Sequence, residues 1–117
     1  MNIELPLDGT LRANVRPVSK ALFHSEYAAE AMLLMLREDR FYGAQVAAAT
    51  GCQPAFASSL LARLETAGLI EKLPAKDGQL RRYYRRIPSA TWDGIAMVIE
   101  DALNEPPAGV ARLSPRS

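Results

Sequence analysis

Between Lys72 and Arg86 the chain carries six basic residues, Lys72, Lys76, Arg81, Arg82, Arg85 and Arg86, against one acid, Asp77. The four arginines flank a tyrosine pair in the run LRRYYRRI at 80–87. A guanidinium presents a planar fork of N–H donors that matches phosphate oxygens. Six bases against one acid leave a local excess of five positive charges; since the whole chain sums to +1, the remainder carries −4. Such asymmetry suits a one-sided footprint on a polyanion, while the small total provides no global attraction. A second set lies upstream: Gln53, Ser58, Ser59 and Arg63, with Ala55 and Phe56 among them. Gln pairs bidentately with adenine, Ser bonds base edges or phosphates, and Ala or Phe can touch a thymine methyl.

Catalytic chemistry has no comparable basis. There is one His, His24, and one Cys, Cys52, so neither a zinc cluster nor an internal disulfide can be assembled. No Ser/His/Asp order, Gly-rich phosphate loop or paired His motif occurs, and the acids are scattered along apparent helix surfaces. We expect no enzyme, no metal and no cofactor. At 117 residues, 49% hydrophobic and 23% charged, the chain suits one soluble domain. Its longest apolar run, Ala31 to Leu36, is far shorter than the roughly 20 residues of a membrane span, and no secretory signal pattern is seen. The expected compartment is the cytoplasm, with no membrane partner.

The elements that must position these residues follow from periodicity. Residues 1–17, broken by Pro6, Gly9 and Pro17, read as an N-terminal arm with at most a short strand. Helical spacing of Leu22, Phe23, Tyr27, Met32, Leu34, Met35 and Leu36, with Lys20, Glu26, Glu30 and Arg37 opposite, predicts one or two helices from Val18 to Asp39. A short helix follows over Tyr42 to Thr50, with Val46 and Ala49 inward, ended by Gly51 as a left-handed cap. The third opens at Pro54, a favoured first helical position, and stops before Gly68. Ala57, Leu60, Leu61 and Leu64 make its inner stripe; Ala55, Phe56, Ser58, Ser59, Ala62 and Arg63 lie outside. The segment LIEKLPAK, the turn pair Asp77-Gly78 and the arginine run then predict a β-hairpin, closed by Pro88. Alternation puts Tyr83, Arg85 and Ile87 on one face of it and Arg82, Tyr84 and Arg86 on the other. Trp92, Ile95, Ala96, Ile99 and Leu103 mark a final helix, and residues 105–117, rich in proline, read as a disordered tail.

Three helices, the second and third joined by a tight turn that contains a glycine, followed by a two-stranded hairpin, spell a winged helix-turn-helix over residues 18–104, mainly α with a small β wing and extra N- and C-terminal helices for dimerisation. The phrases FYGAQVAAATG, SSLLARLETAGLIEKL and DGQLRRYYRR resemble winged-helix transcriptional regulators of the PadR, MarR and ArsR types, PadR most of all. Met32 to Arg86 carry the resemblance. Where such relatives commonly place Thr, Ser, Tyr or Arg on the outer face of the third helix, this chain has Ala55, Phe56, Ser58 and Ser59. The resemblance implies a sequence-specific DNA-binding regulator, a repressor, with double-stranded DNA as partner. The third helix would enter the major groove through Gln53, Ala55, Phe56, Ser58, Ser59 and Arg63. The wing would hold phosphates or a minor groove through Lys76, Arg81, Arg82, Tyr84 and Arg85.

One such module touches too few bases for operator specificity, so a homodimer is expected. Leu22, Phe23 and Tyr27 near the N-terminus and Trp92, Ile95 and Ile99 near the C-terminus exceed what a three-helix core would absorb, and form the expected dimer interface. Trp92 is expected to anchor the final helix, with stacking on a small aromatic effector as its functional alternative. His24 is expected to be partly buried or interfacial, and Cys52 to be a small residue of the turn. Two alternatives remain open. One is a winged-helix module for protein–protein interaction, and the other a DNA-binding protein of plasmid or phage replication, partition or transfer.

Overall fold

Asp8 starts the first helix: its carboxylate accepts from the Leu11 N–H at 2.9 Å and satisfies one donor that the helix itself leaves open. The resulting α1 spans Gly9–Phe23 in the computed structural model, which describes residues 4–76 and 78–104. The expected arm over 1–17 is thereby corrected, because the helix runs straight through Pro17. Proline removes the N–H that would bond Ala13, yet both residues lie on the exposed side of α1, where water can serve the Ala13 carbonyl; Val15 and Ser19 face inward. The helix ends at His24, whose φ of 60° is left-handed and whose N–H reaches Lys20 O at 3.0 Å. That capping position leaves His24 exposed in the single chain and not partly buried, the first of the two placements expected for it.

The second helix, α2 (Ala28–Arg37), is buried at every position from Ala28 to Met35. A helix covered all round is the central element of its fold, and the first, third and last helices pack about it. Glu30 belongs to that buried stretch, not to the solvated side predicted for it. The helix-turn-helix follows as α3 (Gly43–Thr50) and α4 (Pro54–Thr66). Gly51 turns between them at φ 79°, donating its N–H to Ala47 O at 2.8 Å. Ala57, Leu60, Leu61 and Leu64 are all buried, as the stripe predicted.

The wing consists of β1 (Ile70–Lys72) and β2 (Tyr84–Arg86), antiparallel with Ile70 opposite Arg86 and Lys72 opposite Tyr84. Tyr84 also exchanges both backbone hydrogen bonds with Phe41, at 2.9 and 2.8 Å, so β2 is paired on both sides. Phe41 is fully buried and ties the wing to the approach of α3. The last helix, α5 (Ala90–Asn104), docks through Trp92, whose indole N–H donates to Leu69 O at 2.7 Å at the base of the wing.

Trp92, Ile95 and Ile99 are buried within the single chain. They do not form a free face for a second copy, because α5 lies against α1 and α2 and closes their core. Among the described residues of these helices the large apolar ones left exposed are Leu22 on α1, at 55%, and Met97 on α5, at 72%, whereas Met32 and Met35 fill the core. No helix among the described residues is long and apolar enough to cross a membrane. Asp77 of the expected turn and the expected tail over 105–117 lie outside the described residues.

Candidate nucleic-acid interface

Burying one stripe of α4 turns the other outward. Gln53, Ala55, Ser58, Ser59 and Arg63 are exposed, on a helix of 13 residues, about 20 Å long at the usual rise. Such a rod fits a major groove about 12 Å wide. Phe56 does not share that exposure. It is half-buried, its ring 5.9 Å from that of Tyr27, and braces the first turn of α4 against the start of α2. Ser58 lies beside Gly43 at the start of α3. From there it lines a groove of about 320 Å³ together with Tyr42, Arg81 and Arg82. Residues from the two separate sets found in the sequence thus meet at one concavity.

The six basic residues of the hairpin divide by their contacts. Arg86 donates from one guanidinium nitrogen to Met35 O and, at 3.3 Å, to Glu38 O. It therefore caps the carbonyl end of α2, where unpaired acceptors and the helix dipole favour a cation. Arg85 pairs with Glu71 across the hairpin at 2.8 Å, with both side chains about half exposed. Lys72 places its ammonium 5.8 Å from the Tyr84 ring. Tyr84, expected among the DNA-contacting residues, is instead half-buried and packed on the core, on the face of β2 that it shares with Arg86. Lys76 and Arg82 are exposed and make no ion pair among the described residues. Leu80, at 99%, is the most exposed large apolar residue there.

Arg81 is held differently. Its guanidinium sits 4.5 Å over the Tyr42 ring, Tyr42 meets Tyr83 edge-on at 5.3 Å, and Arg40 sits 4.5 Å over Tyr83. Cation–π contacts of this kind orient a guanidinium while leaving its N–H edges available. The ladder fastens the wing to the N-terminus of α3 and adds Arg40 to the basic edge. Sequence reasoning missed Arg40 because it stands outside the hairpin run, and only the Phe41 bridge to Tyr84 brings it alongside.

A second arginine cluster lies behind the helix-turn-helix and was also missed. Arg12 and Arg16 of α1 bond the two carboxylate oxygens of the fully buried Glu30 at 3.1 and 2.8 Å. Both also donate to the carbonyl of Thr50, at 3.4 and 3.2 Å. Arg16 stacks 4.9 Å from the Tyr27 ring. Its pKa is raised, chiefly by the hydrogen bond to Glu30 and against the cost of burial. The single signal was spacing: Arg12 and Arg16 stand four apart and share a helix face, but only once residues 9–17 are read as helical. Cys52 is buried in the turn, with its N–H on Thr50 Oγ1 at 3.1 Å. No group of three or more His, Cys, Asp or Glu residues that could hold a metal ion occurs among the described residues.

No sequence-family profile matches the chain. No curated protein matches it either. Solved structures do. A MarR-family transcriptional regulator from Silicibacter pomeroyi superposes with a TM-score of 0.62 at 20% identity, covering 80% of this chain and 64% of that one. NadR, solved in complex with 4-hydroxyphenylacetate, superposes at 0.60 with 18% identity, covering 80% and 65%. Wild-type MarR from E. coli gives 0.60 at 13% identity over 88% and 82% in its apo form. A point mutant of that protein, complexed with operator DNA, gives 0.52 at 12% identity over 79% and 62%. The chain spans just under two thirds of the first two proteins. It has the winged-helix fold of MarR-type regulators, and the PadR likeness rests on the sequence phrases.

Proposed function

We propose that the chain is a sequence-specific DNA-binding transcriptional regulator, a repressor acting as a homodimer, and not an enzyme. In this reading α4 enters the major groove through Gln53, Ala55, Ser58, Ser59 and Arg63. Lys76, Arg81, Arg82 and the newly placed Arg40 hold phosphates or a minor groove. The observation that carries the reading is the single groove lined by Ser58 of α4 and by Arg81 and Arg82 of the wing, which sets base-reading and phosphate-binding chemistry side by side. The likeness in fold to E. coli MarR, solved as a mutant on operator DNA, supports it.

A two-fold dimer would read two half-sites about one helical turn apart. Leu22 and Met97, exposed on α1 and α5, take the place of Trp92, Ile95 and Ile99 as its apolar contacts. A small aromatic effector belongs to the same reading, by likeness to NadR. Buried Trp92 is not its stacking face.

Fluorescence anisotropy on a random duplex and on the duplex upstream of the chain's own coding region, at several salt concentrations, tests the proposal. With about three phosphates neutralised per protomer, the slope of log K against log salt should be about −5, with the upstream duplex preferred. Absence of binding at low salt would reject the reading and favour the protein-interaction module.

A further inference from the structure

The two arginines of α1 do more than neutralise a buried acid. Each is a fork with one prong on Glu30 of α2 and the other on the carbonyl of Thr50, the last residue of α3. That carbonyl is among the acceptors a helix end leaves unpaired, and it immediately precedes the Gly51 turn into α4. Guanidinium–carboxylate bonds are directional in a way that apolar packing is not. With Glu30 fully buried, both forks have their geometry set from the α2 side. Arg16 extends the chain of contacts: it stacks on Tyr27, and Tyr27 packs on Phe56 in the first turn of α4. Both ends of the turn between α3 and α4 are therefore referred to one carboxylate.

The wing is anchored elsewhere. Its fastenings include the Phe41–Tyr84 bridge, the Arg86 cap on α2, the Tyr42–Tyr83 ladder and the Trp92 bond to Leu69 O at its base, none of which includes Arg12, Arg16 or Glu30. Apart from the direct junction where α4 runs into β1, through the Leu69 N–H on Leu64 O at 2.9 Å, recognition helix and wing are held by separate sets of contacts, both of which reach back to α2.

We propose that Glu30, clamped by Arg12 and Arg16, is the positioning residue that sets the placement of α4 relative to the wing, so that preference between DNA sites depends on this clamp while general affinity for duplex does not. The proposal rests on the DNA-binding reading above. Phosphate contacts made by the wing survive a displaced α4, whereas base contacts tolerate little displacement. The N-terminal helix thereby becomes part of the reading apparatus.

The test is Arg16→Ala in the full chain, with two readouts. Hydrogen exchange followed by mass spectrometry should show amides of residues 50–57 exchanging about tenfold faster, and those of the hairpin strands unchanged, as expected for loss of a charge-assisted contact. In anisotropy, the ratio of affinities for upstream and random duplex should fall about tenfold, with the random-duplex affinity and its salt slope retained. Should Arg16→Ala lose helix content, Arg16→Lys, which keeps the charge but lacks the fork, carries the same two readouts. Unchanged exchange over 50–57, or equal loss on both duplexes, would overturn the proposal. Wild-type chain that binds neither duplex would instead sink the DNA-binding reading, and the exchange result would then decide the clamp by itself.

Discussion

The arginines of α1 and those of the wing are the same residue in opposite situations. Arg12 and Arg16 point into the molecule, share a fully buried carboxylate and end on a helix carbonyl. In the wing, Arg82 stands exposed without an ion pair among the described residues, Arg81 is oriented by a tyrosine, and Arg85 holds a half-exposed acid. Arg86 belongs by sequence to the wing and by contact to the interior, because it caps α2. A count of basic residues therefore overstates what is available to a polyanion. What decides is whether each cation already has an acceptor within the fold.

The sharpest way to break this comparison is to remove the available cations. Lys76→Ala with Arg82→Ala should cut the salt slope of a dimer from about −5 to about −2 and weaken duplex binding at 0.1 M salt by on the order of a thousandfold, with the thermal midpoint almost unmoved. Anisotropy and thermal melting of the same preparation check both halves. Removing the buried acceptor should do the reverse: Glu30→Ala leaves two guanidiniums without their carboxylate and should destabilise the fold by about 3–5 kcal/mol in urea unfolding. Next comes the residue that crosses the divide. Arg86→Ala should cost about 1.5–3 kcal/mol of stability through the lost cap and change the salt slope by less than Arg82→Ala does. The smallest effect is expected at the exposed pair, where Glu71→Ala should change stability by no more than about 1 kcal/mol. A larger loss there would mean that the hairpin pair is structural and that the two regions differ less than their burial suggests.

Much of the fold is legible residue by residue. Gly51 and Pro54 bracket a turn whose chemistry is local, and the Ala57, Leu60, Leu61 and Leu64 stripe needs only the helical period. The exposure of Gln53, Ser58, Ser59 and Arg63 follows from that stripe by exclusion. Elsewhere local signals misled. Pro17 reads as a breaker, yet its lost hydrogen bond falls on the solvent side of α1 and is tolerated. Phe56 falls on the outer part of the wheel, but Tyr27, just before α2, covers it. Neither strand alternation nor composition tells which hairpin tyrosine turns inward. Tyr84 does so because the face of β2 that it shares with Arg86 is laid on the core, in a strand held in place by Phe41 from more than 40 positions earlier.

The sequence by itself determined the order of elements from the helix-turn-helix onward, the turn within it, the inner stripe of its second helix and the concentration of positive charge in the hairpin. Each of these depends on residues within a few positions of one another, where backbone geometry and period are sufficient. Only the tertiary structure decided which charges are free. Glu30, Arg12, Arg16 and Arg86 find their partners 14 to 51 positions away, and a charge withdrawn from water must be paired by whatever the packing brings to it. For the same reason the apolar residues of the last helix, which the sequence could only count as surplus, became core once α5 was laid across α1 and α2.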